Sequence, residues 1–174
     1  MDSLSLEQAA RSGDAAAFGA LVRAWDQDLR GVAWSVARNT NATDDIMQAS
    51  YESAFRGLAQ FDGRSSMKTW LHAIVYRSAI DQVRYESHRL HDDLANLRTT
   101  STPKPQPETR AIDKAELAAA LETMQPDVRA MLMLTAGLGY SFDETAVIVG
   151  QARGTVASRV SRARAELQRW EADE

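Results

Sequence analysis

The sequence predicts an all-α protein of two small helical domains joined by a flexible linker, and three observations carry that prediction. Apolar residues recur at three- and four-residue steps on both sides of the chain's middle, and no segment sustains the alternation of a strand. Three of the four prolines fall within Thr99-Thr100-Ser101-Thr102-Pro103-Lys104-Pro105-Gln106-Pro107, a polar run that reads as extended linker. Near the C-terminus a capping sequence, a glycine stop and a second amphipathic run have the spacing of a helix-turn-helix. The predicted boundaries are 1–92 for the first domain, 93–108 for the linker and 109–174 for the second domain.

In the first domain, Ser5-Leu6-Glu7-Gln8 can cap an opening helix. Asp14 can cap a second that carries Phe18, Leu21, Val22, Trp25, Leu29, Val32, Ala33 and Val36 on one side, with Asn39-Thr40-Asn41 ending it. A third helix is predicted from about Thr43 to Leu58, acidic at its start as the helix dipole prefers, with Ile46, Met47, Ala54, Phe55 and Leu58 available for burial. The loop Gln60-Phe61-Asp62-Gly63-Arg64-Ser65-Ser66 leads into a helix from about Met67 to His88. After the linker, Pro107 suits the first turn of a helix ending at Met124, and Pro126 opens another.

Ser141-Phe142-Asp143-Glu144 then has the Ser-x-x-Glu form of a capping box, starting a helix that turns Ala146, Val147 and Val149 inward. Gly150 stops it, Gln151-Ala152-Arg153 forms the turn, and Gly154-Thr155 opens the last helix, whose free N–H groups can receive a phosphate. Val156, Val160, Ala163 and Leu167 draw one apolar stripe along that helix. Gly154, Ser158, Ser161, Arg162 and Arg169 fall on the opposite face, and Arg159 and Arg164 flank the stripe. Arginines with short hydroxyls between them suit a groove walled by phosphates and floored by base edges.

Composition narrows the function classes. The 174 residues carry a formal charge of -4 and no cysteine, which excludes disulfides, thiolate zinc sites and thiol redox sensing. No stretch approaches a membrane span, and the start lacks the basic-then-apolar order of a signal peptide. A cytoplasmic protein without membrane insertion is therefore expected. The acidic pI of about 5.4 excludes a generally adhesive nucleic-acid coat, so DNA contact must come from local basic patches aided by a larger partner. Two patches qualify. Residues 151–170 hold five arginines against Glu166 alone, and residues 55–89 hold Arg56, Arg64, Lys68, Arg77, Arg84 and Arg89 against Asp62, Asp81 and Glu86. In the second patch Trp70 stands among the cations, as in single-strand binding sites where bases stack on rings and cations track the backbone.

Two other readings compete. His88, His91, Asp92 and Asp93 have metal-ligand chemistry, but no second ligand cluster, phosphate loop or activated nucleophile supports an enzyme, and no metal or cofactor is assigned. A free-standing helix-turn-helix repressor whose first domain binds a ligand or dimerises is the alternative non-enzyme.

The motifs resemble those of extracytoplasmic-function (ECF) sigma factors of the sigma-70 family. Gly154-Thr155-Val156-Ala157-Ser158-Arg159-Val160-Ser161-Arg162-Ala163-Arg164 resembles the promoter-reading helix of the family's fourth region. Asp45-Ile46-Met47-Gln48 with Tyr51 resembles the Asp-x-x-Gln-x-x-aromatic core of its second region, and Phe61 to Leu71 that region's loop and tryptophan helix. Asp81 and Arg84 match its Asp-x-x-Arg pair. The resemblance implies minus 35 contacts by Arg153, Gly154, Thr155, Ser158, Arg159, Ser161, Arg162 and Arg164, with Ser158, Ser161 and Arg162 on base edges. It implies minus 10 contacts by Phe61, Arg64, Ser65, Lys68, Trp70, Arg77 and Arg84, where an unstacked base of the non-template strand is captured. It further implies docking of Asp45, Gln48 and Tyr51 on the clamp helices of the largest subunit of core RNA polymerase, a contact with the polymerase flap, promoter DNA as ligand and an anti-sigma factor as regulator. Departures from the family pattern are Arg77 for a common Asn, Ala157 for a basic residue, Ala49 for Glu, Met124-Gln125-Pro126 for Leu-Pro, and Thr145 within a usual Glu-Ile-Ala.

Overall fold

The computed structural model describes residues 3–96 and 112–172, which form helices joined by turns and short loops, with no strand among the described residues. The proline-rich run 99–107, including the place expected for Pro107, lies outside them. Helix α1 spans Ser3–Arg11, so Ser5 lies inside its first turn rather than capping it. Helix α2, Ala15–Ala37, begins where expected: the Asp14 carboxylate accepts the N–H groups of Ala16 and Ala17 at 2.8 and 3.1 Å.

Helix α2 ends at Arg38, whose left-handed backbone sends its N–H to the Trp34 carbonyl. The Asn39-Thr40-Asn41 segment read as a stop is instead the start of α3, Thr40–Gly57, because the Asn39 side chain accepts the Ala42 N–H at 2.9 Å. A single 3-10 turn, Leu58–Gln60, follows. Helix α4 runs Met67–Asn96, past the expected end near His88, since neither glycine nor proline interrupts it.

Helices α5 (Ile112–Thr123) and α6 (Pro126–Leu132) come next, and α6 passes into a π-helical turn, Met133–Gly137. Then come α7 (Phe142–Val149) and α8 (Arg153–Ala172).

Leu21, Leu29, Val32 and Val36 of α2 are buried against Ile46 and Met47 of α3 and Met67, Leu71 and Val75 of α4. Met131, Leu134, Ile148, Val156 and Val160 do the same among the later helices, and the two cores join where α2 meets α6 and α4 meets α7. Two expected core residues are outside. Phe55 is 52% exposed, its ring tilted against that of Phe18 with centroids 5.9 Å apart. Val147 is 60% exposed because Thr145, Ile148 and Val149 occupy the inward arc of α7, and position 147 falls opposite them.

Polar fixtures close the seam between the two helical units. Arg129 of α6 is buried, and its guanidinium donates to the carbonyls of Ser35 and Val36 at 2.7 and 2.9 Å and to those of Met124 and Leu121. One cation thus satisfies the orphan carbonyls at the C-terminal ends of α2 and α5 together. A second fixture joins Tyr140 to His72 of α4, the hydroxyl lying 3.1 Å from Nδ1. His72 is fully buried, and its Nδ1 also meets the Lys68 carbonyl at 2.8 Å. Burial holds its pKa below the ordinary 6.5, and burial likewise pushes the Tyr140 phenol up to about 12.

Candidate nucleic-acid interface

The helix-turn-helix is built as its sequence requires. Ser141 caps α7 and accepts the Glu144 N–H, while the Glu144 carboxylate accepts the Ser141 N–H at 2.9 Å and its hydroxyl at 2.7 Å. Those donors hold the Glu144 carboxyl below the usual carboxylate range. Gly150 takes the left-handed conformation (φ 65°) that ends α7, and α8 starts at Arg153, one residue before the expected opening.

Along α8, Val156, Val160 and Ala163 are buried and Leu167 is half-buried, so the predicted stripe is the packing face. Gly154, Ser158, Ser161, Arg162, Arg164 and Arg169 are exposed, and Thr155 is half-buried. Ser158, Ser161 and Arg162 stand at i, i+3 and i+4, one contiguous patch. Arg162 Nε and the Ser158 hydroxyl rest on carbonyls of their own helix, at 3.3 and 3.0 Å, bonds that a base edge can replace.

Arg153 and Arg159 differ in exposure. Arg153 makes a solvent-exposed pair with Asp143 at 3.2 Å. Arg159 is half-buried against Asp127 in the first turn of α6, so a carboxylate already occupies the guanidinium assigned to a phosphate.

The first unit presents its residues at the junction of the 61–66 loop with α4. Ser66 caps the helix, accepting the Thr69 N–H at 3.0 Å. Phe61 and Trp70 are half-buried and stack with centroids 5.1 Å apart and planes tilted by 40°. Their cations are held back by carboxylates: Arg64 lies 2.8 Å from Asp62, and Lys68 reaches Asp28 of α2 at 2.5 Å. The Ser65 hydroxyl contacts the Ser66 carbonyl. Arg77 and Arg84 are exposed further along α4, and no ion pair joins Arg77 to Asp81 among the described residues. Arg84 lines a crevice of about 330 Å³ between α4 and the start of α6, whose walls include Tyr76, Asp127 and Gln151.

On α3, Asp45, Gln48 and Ala49 are exposed on one face, with Gln48 within 3.5 Å of Glu52. Tyr51 turns partly inward, and its hydroxyl donates to Asp26 at 2.6 Å. Asp26 in turn pairs with Arg30, and Arg30 with Asp44. Burial and the Asp26 hydrogen bond raise the Tyr51 pKa above its ordinary value, so the phenol stays protonated. Among the described residues no three histidines or carboxylates stand close enough to hold a metal ion, and the side chains of His91, Asp92 and Asp93 lie outside that set.

Sequence reading missed Arg129, His72 and Tyr140, and the carboxylates Asp28 and Asp127 that hold Lys68 and Arg159. A signal existed for Arg129: it is the one charged residue in the run Val128 to Leu134, where a buried cation needs partners. Asp28 is forty residues from Lys68 in sequence, and only packing pairs them.

Comparison with known proteins agrees with this arrangement. Residues 21–89 match the family model for sigma-70 region 2, and residues 114–167 match that for sigma-70 region 4. The ECF RNA polymerase sigma factor SigM of Mycobacterium tuberculosis is 32% identical over 159 residues, covering 91% of this chain and 79% of SigM. The fold is similar to that of the sigma factor RpoE from Bartonella quintana, solved in complex with the anti-sigma factor NepR: TM-score 0.73, 26% identity, 89% of this chain and 96% of that one. It is equally similar to CnrH solved with the cytosolic domain of CnrY, with TM-score 0.72, 27% identity, and coverage of 99% and 100%. With both regions matched in order and a relative of this identity along nine-tenths of its length, the chain belongs to the ECF RNA polymerase sigma factors of the sigma-70 family, which are promoter-specificity subunits and not enzymes.

Proposed function

We propose that this sigma factor brings core RNA polymerase to its promoters by reading the minus 35 element as duplex with α8 and capturing a melted minus 10 base at the loop before α4. The observation that carries the reading is the exposed patch of Ser158, Ser161 and Arg162, back to back with the buried Val156-Val160-Ala163 stripe. That patch sits on a helix whose N-terminal N–H groups are available to a phosphate. Arg153, Thr155, Arg159 and Arg164 are assigned to phosphates, with Arg159 exchanging Asp127 for DNA. Phe61, Trp70, Arg64, Ser65, Lys68, Arg77 and Arg84 are assigned to the minus 10 strand. Asp45, Gln48 and Tyr51 are assigned to the clamp helices of the largest polymerase subunit.

The same reading has a geometric consequence. Elements about 25 base pairs apart are separated by roughly 85 Å along B-DNA. A compact chain of this length is only about 40 Å across. Simultaneous contact therefore requires the seam closed by Arg129 and Tyr140 to open on polymerase. Control by an anti-sigma factor belongs to the proposal, by analogy with the partners of Bartonella RpoE and of CnrH, as does action in the cytoplasm.

Transcription in vitro from fragmented genomic DNA, with core polymerase and this protein, tests the reading. Transcripts starting at a shared promoter sequence, absent without the protein, are expected. Tight, sequence-specific binding by the protein alone, with no promoter-specific transcripts on adding core, would replace the sigma reading with that of a repressor.

A further inference from the structure

From outside the loop, the Phe61–Trp70 stack is approached by Arg11, the last residue of α1. Its guanidinium carbon lies 5.5 Å from the centroid of the Phe61 ring, a cation–π distance. It also lies against Gly63. A Cβ there would come within 3.2 Å of one terminal nitrogen of Arg11 and 3.4 Å of the other, so the guanidinium occupies the space that a side chain would fill. Gly63 has φ 74°, a conformation that a side chain rarely tolerates, and the turn and the seat for Arg11 therefore come from one glycine.

The position of Arg11 is set from behind. Ala10 is fully buried in the core, and α1 closes with the Gly13 N–H on the Ala10 carbonyl at 2.9 Å and the Asp14 N–H on the Ala9 carbonyl at 3.1 Å. Arg64 and Lys68 each spend their charge on a carboxylate, whereas Arg11 is exposed and makes no ion pair among the described residues. Beside the rings, Arg11 thus differs from Arg64 and Lys68 in that no carboxylate among the described residues neutralises its charge.

We propose that Arg11 forms the third wall of the minus 10 site, covering one side of Phe61 and binding the phosphate next to the captured base. This inference rests on the base-capture reading of Phe61 and Trp70. A guanidinium stacked on a ring keeps its N–H edges free, so it can cover the aromatic and bind an anion together. Single-stranded DNA supplies both matching groups, a base face for the rings and a phosphate for the cation.

The test measures binding of the holoenzyme, across a salt series, to a fluorescent single-stranded oligonucleotide carrying the non-template minus 10 sequence defined by transcript mapping. Arg11→Ala is expected to weaken binding about tenfold at low salt, the loss of one charged hydrogen bond. The slope of log affinity against log salt is expected to shrink by about 0.7, the loss of one phosphate contact. Arg11→Met covers the ring without charge and is expected to stay weak with the same reduced slope.

Restored binding in Arg11→Met, or an unchanged slope in Arg11→Ala, would reduce Arg11 to packing and overturn the proposal. Phe61→Ala separates the two layers: if it weakens binding while Arg11→Ala does not, base capture stands and Arg11 is out. If neither weakens it, base capture itself is lost.

Discussion

The two helical units address nucleic acid with different chemistry. Helix α8 offers short hydroxyls and an arginine on an open face, where Ser158, Ser161 and Arg162 are all exposed. The loop before α4 offers two stacked rings, and Arg64 and Lys68 beside it in sequence are tied to Asp62 and Asp28. The contrast follows from the two tasks. Reading duplex edges needs a face that enters a groove unobstructed. Capturing one base costs unstacking energy, which is offset only where rings are already fixed in place. Pinning neighbouring side chains with internal ion pairs is one way to fix them.

Arg129 tests the contrast most severely, because it holds the two units against each other. Arg129→Met should lower stability by about 3 kcal/mol, since carbonyls at two helix ends lose their donor in the interior. Urea unfolding followed by tryptophan fluorescence and by circular dichroism checks this. Coincident transitions in the parent that separate in the variant mean that Arg129 couples the units, and an unchanged midpoint means that they stand independently.

The next effect is on sequence discrimination. Arg162→Ala should cost about 2 kcal/mol of preference between the minus 35 sequence and a single-base variant of it, whereas Arg164→Ala should weaken both alike. Competition binding by the holoenzyme reads the difference, and equal behaviour of the two variants removes the assignment of Arg162 to a base edge.

Thr145 is fully buried with its hydroxyl unpartnered among the described residues. Thr145→Val removes that hydroxyl at constant shape and should stabilise the chain by about 1 kcal/mol in urea titration. A loss of stability would place an undetected partner on the hydroxyl.

Smaller again is the release of Arg159. Asp127→Asn should raise holoenzyme affinity for minus 35 duplex about threefold, the value of a partly exposed ion pair no longer competing with phosphate. If affinity does not move, Arg159 belongs to the packing of α8 on α6 and not to the DNA.

The smallest effect is a pH slope. Burial lowers the pKa of His72 below 6.5, so the neutral ring favours the folded state. That stability is fully present above pH 6.5 and drains away as pH falls through the lowered folded value. His72→Phe should therefore show a flatter dependence of stability between pH 7 and 5 than the parent, whatever its stability at neutral pH. Equal slopes would show that His72 does not titrate differently on folding.

Local patterns were legible from the residues. The Asp14 cap, the Ser141–Glu144 capping box, the Gly150 stop and the Val156-Val160-Ala163 stripe each rest on contacts within a few residues, and all stand where their spacing puts them. Phe55 and Val147 show where periodicity stops working: a helix with apolar residues on several sides does not say which arc meets the core. Asn39 shows another ambiguity, since an asparagine after one helix is equally fit to cap the next. The states of Arg159, Lys68 and Tyr51 could not be read at all, for their partners Asp127, Asp28 and Asp26 lie tens of residues away.

What the sequence by itself determined was the helical class, the two-part order, the buried and exposed faces of α8 and the family, because these depend on residue type and near-neighbour spacing. Only the tertiary structure decided which cations are free and how the halves meet. Charge is a property of a residue, but its availability depends on every carboxylate, carbonyl and ring that packing brings within a few ångströms. Arg11 beside Phe61 and Arg129 across two helix ends are both of that kind.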